Sequence, residues 1–404
     1  MRNSALLAAL AIATAATEAR AQDLGAPKTV AEGVTLDPII AARLRYEIVD
    51  QANLPNSADA LTLRARVGVE LKASGFSFLA EAEGTLALSE DYNDTLPGNG
   101  IEPFPVVADP ENLELNRLQV SYLTNGTGVT VGRQRINLDN QRFVGAVGWR
   151  QNEQTFDAVR AQGKFGVVVL DATYSISQRT VFGVDSLNEH FDGDLVLLNG
   201  GVDLPVVDAK AFAYLLDYDT RLAFSSQTYG VLATGELAIP AVGNLTGLAS
   251  YATQSDYSAN PVSYGADYLN AQLGLALFGF TVTAGYEELG SDGGVAAFQT
   301  PLATLHAFNG WADLFLTTPA NGLRDYYAGV GKTFALPFLP GLKADVVYHE
   351  FDSDFGGLDY GSEWNASLGF KLGPVGLLAK YANYDSAGFA VDTEKFWLQA
   401  EVGF

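Results

Sequence analysis

Thr393-Glu394-Lys395-Phe396-Trp397-Leu398-Gln399-Ala400-Glu401-Val402-Gly403-Phe404 is the last segment of the chain. Phe396, Leu398, Ala400, Val402 and Phe404 form one row. Lys395, Trp397, Gln399, Glu401 and Gly403 form the other. Side chains alternate across a strand, so this pattern predicts a strand with one apolar and one polar face. Segment 61–72 repeats it, with Leu61, Leu63, Ala65, Val67, Val69 and Leu71 set against Thr62, Arg64, Arg66, Gly68, Glu70 and Lys72. Segment 360–372 does too: Tyr360, Trp364, Ala366, Leu368 and Phe370 oppose Gly361, Glu363, Asn365, Ser367 and Lys371. Alternation alone also suits a half-buried soluble sheet. Length separates the two cases. Lipid-spanning strands need about 9–11 residues, whereas soluble strands average ~5–6. Segments of the longer kind fill this chain from about residue 37 onward.

The connections sort into two kinds. Lys72–Gly75, Asn125-Gly126, Gly163–Gly166, Pro240–Asn244, Phe278–Phe280, Pro337–Gly341 and Gly373-Pro374 are tight. Segments 90–112, 137–152, 178–193 and 288–321 are long, acidic and rich in Asp, Gly and Asn. Short turns on one side and long loops on the other is the pattern of an outer-membrane barrel, with the short turns in the periplasm. The fold class expected is all-β: a closed antiparallel transmembrane β-barrel. Alternation marks seventeen strands. Both ends of such a barrel lie on the periplasmic side, so the strand number must be even. A down strand is missing between 166–177 and 208–218, and Asp194–Gly200 is the candidate. Eighteen strands are expected, with sixteen as the alternative.

Composition agrees. Of 404 residues 48% are hydrophobic and 18% charged, with 42 Gly and no Cys. The absence of Cys excludes a disulfide scaffold, a thiolate metal site and a cysteine nucleophile. A formal charge of −23 argues against nucleic acid as a partner, since that needs a basic face. The N-terminus, MRNSALLAALAIATAATEARAQ, has a positive start, a short apolar run and Ala19-Arg20-Ala21 before Gln22. It reads as a secretory signal peptide, cleaved after about Ala21. The expected organisation is a signal peptide at 1–21, a periplasmic tail at 22–35 and a barrel at 36–404. Two uncharged runs, Leu237–Ser255 and Tyr268–Tyr286, carry Pro, Gly, Asn or Gln in their middles. Each reads as two strands and a turn rather than as a spanning helix.

In a barrel the polar row faces the lumen, because a Lys or Arg facing lipid costs ~2–4 kcal/mol at the midplane. Arg43, Arg45, Arg64, Arg66 and Arg117 take that row early in the chain. Lys343, Lys371, Lys380 and Lys395 take it late. First and last strands adjoin in a closed barrel, so both sets can share one lumen. Arg133 and Arg135 share parity with Val129 and Val131, which should face lipid. Either a bulge at Gly132 shifts them or they sit above the apolar band. Glu70, Glu81, Glu83, Asp171, Asp345, Glu363 and Glu401 also take the inward row. The arginines therefore read in two ways: an anion-attracting constriction, or a charged ladder that closes the barrel. Acidic loops such as Asp185 to Asp194 suit solubility or divalent cations at a lipopolysaccharide surface.

The stretch from Gly132-Arg133-Gln134-Arg135 through Arg142, Trp149-Arg150-Gln151-Asn152 and Gln154 to Arg160 resembles the alginate export family of outer-membrane barrels. So does Phe298-Gln299-Thr300-Pro301-Leu302-Ala303-Thr304, followed by His306, Phe308-Asn309-Gly310-Trp311-Ala312-Asp313 and Gly322-Leu323-Arg324-Asp325. The resemblance implies an 18-stranded barrel and passive passage of an acidic polysaccharide through an arginine-rich pore. It assigns a pore role to Arg133, Arg135, Arg142, Arg150 and Arg160. It also implies that loop 288–321 packs over or into the pore. General diffusion, or uptake of organic acids and oligosaccharides, is the alternative function. A hydrolase is the remote one: His190, His306 and His349 are its only imidazole bases, and no G-x-S-x-G motif is present. No cofactor or metal is expected. The expected partners are outer-membrane lipid, lipopolysaccharide, an anionic polysaccharide or organic acid, and periplasmic export components, for a monomer.

Overall fold

The computed structural model describes residues 25–98, 101–240, 243–337 and 339–404. The expected signal peptide at 1–21 lies outside them. A short strand, β1 (Lys28–Ala31), precedes eighteen barrel strands. These are β2 (Val34–Gln51), β3 (Ala58–Ala73), β4 (Phe76–Ala87), β5 (Asn112–Thr124), β6 (Thr127–Gln134), β7 (Thr155–Phe165), β8 (Val168–Arg179), β9 (His190–Asp203) and β10 (Val207–Tyr218). They continue with β11 (Ser226–Ile239), β12 (Gly243–Asp256), β13 (Gly265–Leu277), β14 (Phe280–Leu289), β15 (Leu323–Ala335), β16 (Pro340–Asp352), β17 (Asp359–Leu372), β18 (Val375–Ser386) and β19 (Thr393–Gly403). Each pairs antiparallel with the next. The ring closes where β19 pairs with β2, from Thr393 opposite Gln51 to Gly403 opposite Ala41. A closed ring leaves no ladder edge unpaired in lipid.

The doubtful strand is a full one. β9 spans 14 residues and pairs along its length with β8 and β10, so the even count stands. Both uncharged runs fall on hairpins, β11–β12 and β13–β14. The stretch read as a tail, 22–35, contains β1, which folds back on the start of β2. Three of the tight connections are hairpin turns with positive φ at both central residues. They are Ser74-Gly75, Asn125-Gly126 and Phe278-Gly279. That geometry matches strand twist and is the reason glycine recurs there.

The outward row is apolar, with Val67, Val120, Val131, Leu170, Leu273 and Leu368 among the exposed side chains. Aromatic rings band both ends. Tyr286 packs on Tyr326 and Tyr348 on Trp364 at the end bearing long loops, while Phe76 packs on Tyr122 at the turn end. Amphipathic rings collect at such interfaces. One parity assignment fails. Tyr360 was read into the lipid-facing row but is 2% exposed and packs on Phe315 in the lumen. Gly361 has φ +102°, and the β16–β17 register shifts between Phe351 and Asp352. An extra residue reverses the facing of everything beyond it.

The apolar core therefore lies inside the barrel. Ile136 and Val144 from the β6–β7 loop and Phe298, Leu302, Ala312 and Phe315 from the β14–β15 loop pack against Phe212, Tyr268, Tyr384 and Trp397 of the wall. Two long loops fill the lumen in the way a soluble core fills a sandwich.

Candidate functional site

The β6–β7 loop (135–154) and the β14–β15 loop (290–322) bond to each other before they bond to the wall. Gly145 N–H donates to the Leu302 carbonyl at 2.8 Å, and Thr304 N–H to that of Gln141 at 3.0 Å. The Gln154 amide donates to the carbonyls of Gly145 and Leu302 at 2.7 and 2.9 Å. The two motifs that carried the family resemblance are thus one tertiary unit. Its turns are strained: Val147, a β-branched residue, has φ +52°. Such a backbone costs on the order of 1–3 kcal/mol and persists only where its surroundings impose it. Arg43 supplies that restraint, donating to the carbonyls of Gly148, Trp149 and Arg150 at 2.9, 3.1 and 3.2 Å.

Every arginine singled out in the sequence faces a carboxylate. Arg43 and Arg64 share Glu401 at 3.1 and 2.7 Å. Arg45 faces Asp109 at 3.6 Å and lies 4.0 Å over the Trp149 ring. Arg66 bonds to Glu83 and, at 3.0 Å, to Glu153. Arg117 takes Glu81 at 2.6 Å. Arg160 takes Asp171 at 2.5 Å. Arg150 lies between Glu47 at 3.2 Å, Asp109 at 3.8 Å and Asp313 at 2.9 Å. Arg142 is buried against Glu287 at 2.7 Å and also donates to Thr300 and Asn309, each at 3.0 Å. Arg133 and Arg135 part company. Arg133 keeps the parity of exposed Val129 and Val131 and pairs with Asp157 at 2.8 Å near the loop end of the strands. Arg135, one residue beyond the end of β6, bonds to the buried Glu153 at 2.6 Å.

The lysines differ. Lys343 is exposed, 3.4 Å from Asp345. Lys371 is exposed at the turn end of β17. Lys380 is buried, its Nζ 2.7 Å from His306 Nε2 and 3.7 Å over the Trp311 ring. His306 in turn sets Nδ1 2.7 Å from Asp313, which also meets Lys395 at 3.2 Å. The ring stacks on Trp149 at 4.2 Å. Lys380 has protons to donate and no lone pair to accept with, so Nε2 accepts and Nδ1 carries the hydrogen toward Asp313.

Burial depresses the His306 imidazole to about 3, the neighbouring Lys380 and Arg150 adding to this and Asp313 opposing it. Burial pushes the Asp313 carboxyl up, but His306, Lys395 and Arg150 outweigh it and hold it well below the ordinary range. An unfolded histidine titrates near ~6.5, so between there and about 3 the unfolded chain binds the extra proton. Loop packing should therefore weaken as pH falls through that window. Asp313 adds a contribution that is lost only below the usual carboxylate range. The expected result is a thermal midpoint that drops between pH 6.5 and 4, with a flatter slope in His306→Gln. An identical slope in the variant would assign the acid sensitivity to other groups.

Residues 305–313 divide the lumen. Leu305, His306, Ala312 and Asp313 line a cavity of about 540 Å³ that opens toward the long loops. Ala307, Phe308, Asn309 and Trp311 line one of about 390 Å³ on the periplasmic side. The outer cavity is also lined by Arg150, Arg221 and Lys395, so three cations face one carboxylate, Asp313. The inner one presents Glu287, Asp325 and Asp345 against Lys343 and His349. Arg221, just past β10, was not singled out in the sequence. No spacing marks it, because its position depends on Phe191 of β9 as well as on the nearby Phe224. Bulged Asn116 was missed as well. It is buried and donates to Glu81 at 2.8 Å and Glu153 at 2.7 Å, where the β4–β5 register shifts.

Residues 36–213 match the family described as alginate export, a range that includes the first motif and not the second. No curated protein matches the sequence. Among solved structures the chain is similar to Acinetobacter baumannii OccAB3, at 15% identity and TM-score 0.71, covering 91% of this chain and 99% of that one. It is similar to OccAB1 of the same organism at 12% identity and TM-score 0.71, covering 95% and 99%. It is also similar to Pseudomonas aeruginosa OccK9 (OpdG), at 15% identity and TM-score 0.71, covering 91% and 98%. At these identities the likeness speaks for the fold. The chain folds as a closed outer-membrane β-barrel of eighteen spanning strands, and its residues 36–213 match the alginate export family.

Proposed function

We propose that the protein is a passive, anion-preferring channel for small solutes such as organic acids and short acidic sugars. The observation that carries this reading is the outer cavity, whose lining includes Arg150, Arg221 and Lys395 and, of the carboxylates, Asp313, with Arg150 also held by Glu47 outside that lining. A cavity walled by protein focuses such a field and raises the local anion concentration. Size supports small solutes over a polymer. Volumes of about 540 and 390 Å³ fall in the range of small-molecule pockets. An acidic polysaccharide would need the two inner loops displaced. Uptake and export are the same event in a passive pore. A second reading, passage of neutral or cationic solutes, is favoured by the acidic inner cavity.

The lumen arginines act on this reading through a balanced ladder, because each already holds an acid. The channel is not an enzyme. The Asp313–His306 pair has the Lys380 ammonium on Nε2, where a nucleophile would sit. His349 holds Asp325 through Nδ1 at 2.9 Å and is buried. The barrel stands as a monomer in lipid and lipopolysaccharide, and export components are not required for small solutes. The deciding measurement is the reversal potential in a KCl gradient across a planar bilayer. Anion preference is expected, moving toward cations when Arg64 and Arg66 are both changed to Ala, which strips Glu83, Glu153 and Glu401 of counter-charges. Cation preference in the unaltered protein would overturn the reading.

A further inference from the structure

Thirteen arginines lie within the described residues, and twelve of them have a carboxylate within 4 Å. Arg221 is the exception. Its guanidinium lies 4.5 Å over the Phe191 ring and 4.0 Å over the Phe224 ring. Phe224 and Arg221 both line the outer cavity. A guanidinium held between two aromatic faces has its position set, while its N–H edge remains available. Burial lowers its pKa, and no carboxylate offsets the cost. A planar fork with free donors is the group that takes a carboxylate through two parallel hydrogen bonds.

The rest of the cavity says what the carboxylate is attached to. Three of its four glutamine amides are committed within the protein, while Gln51 makes one long bond, to Thr393 at 3.4 Å, and the Thr95 hydroxyl is without a partner. Gln154 bonds to the Gly145 and Leu302 carbonyls, and Gln178 bonds to Gln154 and accepts from Tyr218. Gln299 donates to the Thr318 carbonyl at 2.8 Å and accepts from its N–H at 3.1 Å. The Thr300 hydroxyl accepts from Arg142, and that of Thr180 donates to the Asn188 carbonyl at 2.5 Å. The other two cations are taken too, Arg150 and Lys395 both by Asp313. What remains to meet a solute includes the apolar surface of Val181, Phe182, Phe224, Leu314 and Leu316. A hydroxyl-rich sugar entering there gives up its hydration with few partners to replace it, at a cost that an apolar ring avoids.

We infer that Arg221 is the anchor of a binding site in the outer cavity for small carboxylates with an apolar body, outside the partition at 305–313. The site rests on the channel reading above and narrows its substrate class. It sorts solutes before the partition, by one charge and by the hydration of the group behind it.

The test is current block by solutes added on the long-loop side of the reconstituted full-length protein. Cyclohexanecarboxylate and glucuronate share a six-membered ring and one carboxylate and differ in hydroxyls. Cyclohexylmethanol keeps the apolar ring without the charge. Cyclohexanecarboxylate is expected to block at lower concentration than glucuronate, and cyclohexylmethanol not at all. Arg221→Gln should weaken the block at least tenfold, and Arg221→Lys should restore part of it. Arg221 has no ion pair to lose, and unchanged mobility in unboiled SDS gels verifies that the variants are folded. Block of equal strength in Arg221→Gln, or glucuronate blocking as well as cyclohexanecarboxylate, would overturn the site while leaving an anion-selective channel. Cation selectivity in KCl would overturn the channel reading itself, and this site with it.

Discussion

Replacing residues 295–315 by a short Gly-Ser linker should raise single-channel conductance several-fold and leave the barrel folded. The segment contributes Phe298, Leu302, Ala312 and Phe315 to the core inside the lumen, and its residues 305–313 separate the outer cavity from the inner one. Removing it joins the two and admits water. The wall does not depend on it, since the ladder is continuous from β2 through β19 and back to β2. Barrels of this kind keep a compact form in SDS until boiled, so gel mobility reports the wall and conductance reports the loop. Equal conductance with unchanged mobility would make the loop a surface feature and remove the partition.

Arg142→Leu should have the largest effect of any single substitution. Arg142 and Glu287 are both buried, 2.7 Å apart, and join the β6–β7 loop to β14. Removing one partner of a buried pair typically costs about 3–5 kcal/mol, because the other charge remains without compensation. Glu287 keeps hydrogen bonds from Tyr268 at 2.6 Å, Asn270 at 3.1 Å and Asn309 at 2.7 Å, which places the loss toward the lower end. Every ~1.4 kcal/mol is a factor of ten in population, so the undocked loop should become roughly a hundredfold more frequent. The expected record is a noisy channel with frequent large openings. Replacing both charges, Arg142→Leu with Glu287→Leu, should restore much of the quiet state, since an apolar pair in such a site is often close to neutral. A double variant as noisy as the single one would mean that the loop is held by the contacts of Arg142 with Thr300 and Asn309 instead.

Much of the architecture was legible because a membrane barrel obeys two local rules. Lipid-facing and lumen-facing side chains alternate, and turns are tight on one side only. Thr393–Phe404 shows both faces, and in the structure Trp397 is fully buried against Trp149 on the lumen side, as its row requires. The even strand number requires β9, which pairs with β8 and β10. Tyr360 escaped because it is itself the inserted residue, unpaired between Asp359 and Gly361, and an insertion reverses parity without altering composition. The arginines illustrate a different limit. Parity states that Arg43 faces inward, and that holds. It cannot state that Glu401, 358 residues later, occupies its guanidinium. Nor can it separate Arg221 from the twelve others.

From sequence alone came the compartment, the closed all-β barrel, its strand number and the inward row of charge. Each follows from an interaction with solvent or lipid that a residue makes wherever its neighbours are. The tertiary structure decided that two loops fill the lumen, that the arginine row is balanced by acids, and that 305–313 divides what space is left. Those depend on which side chains meet across the ring. Pairing between residues hundreds of positions apart leaves no periodic trace along the chain, because ring closure brings them together and neither segment encodes the other.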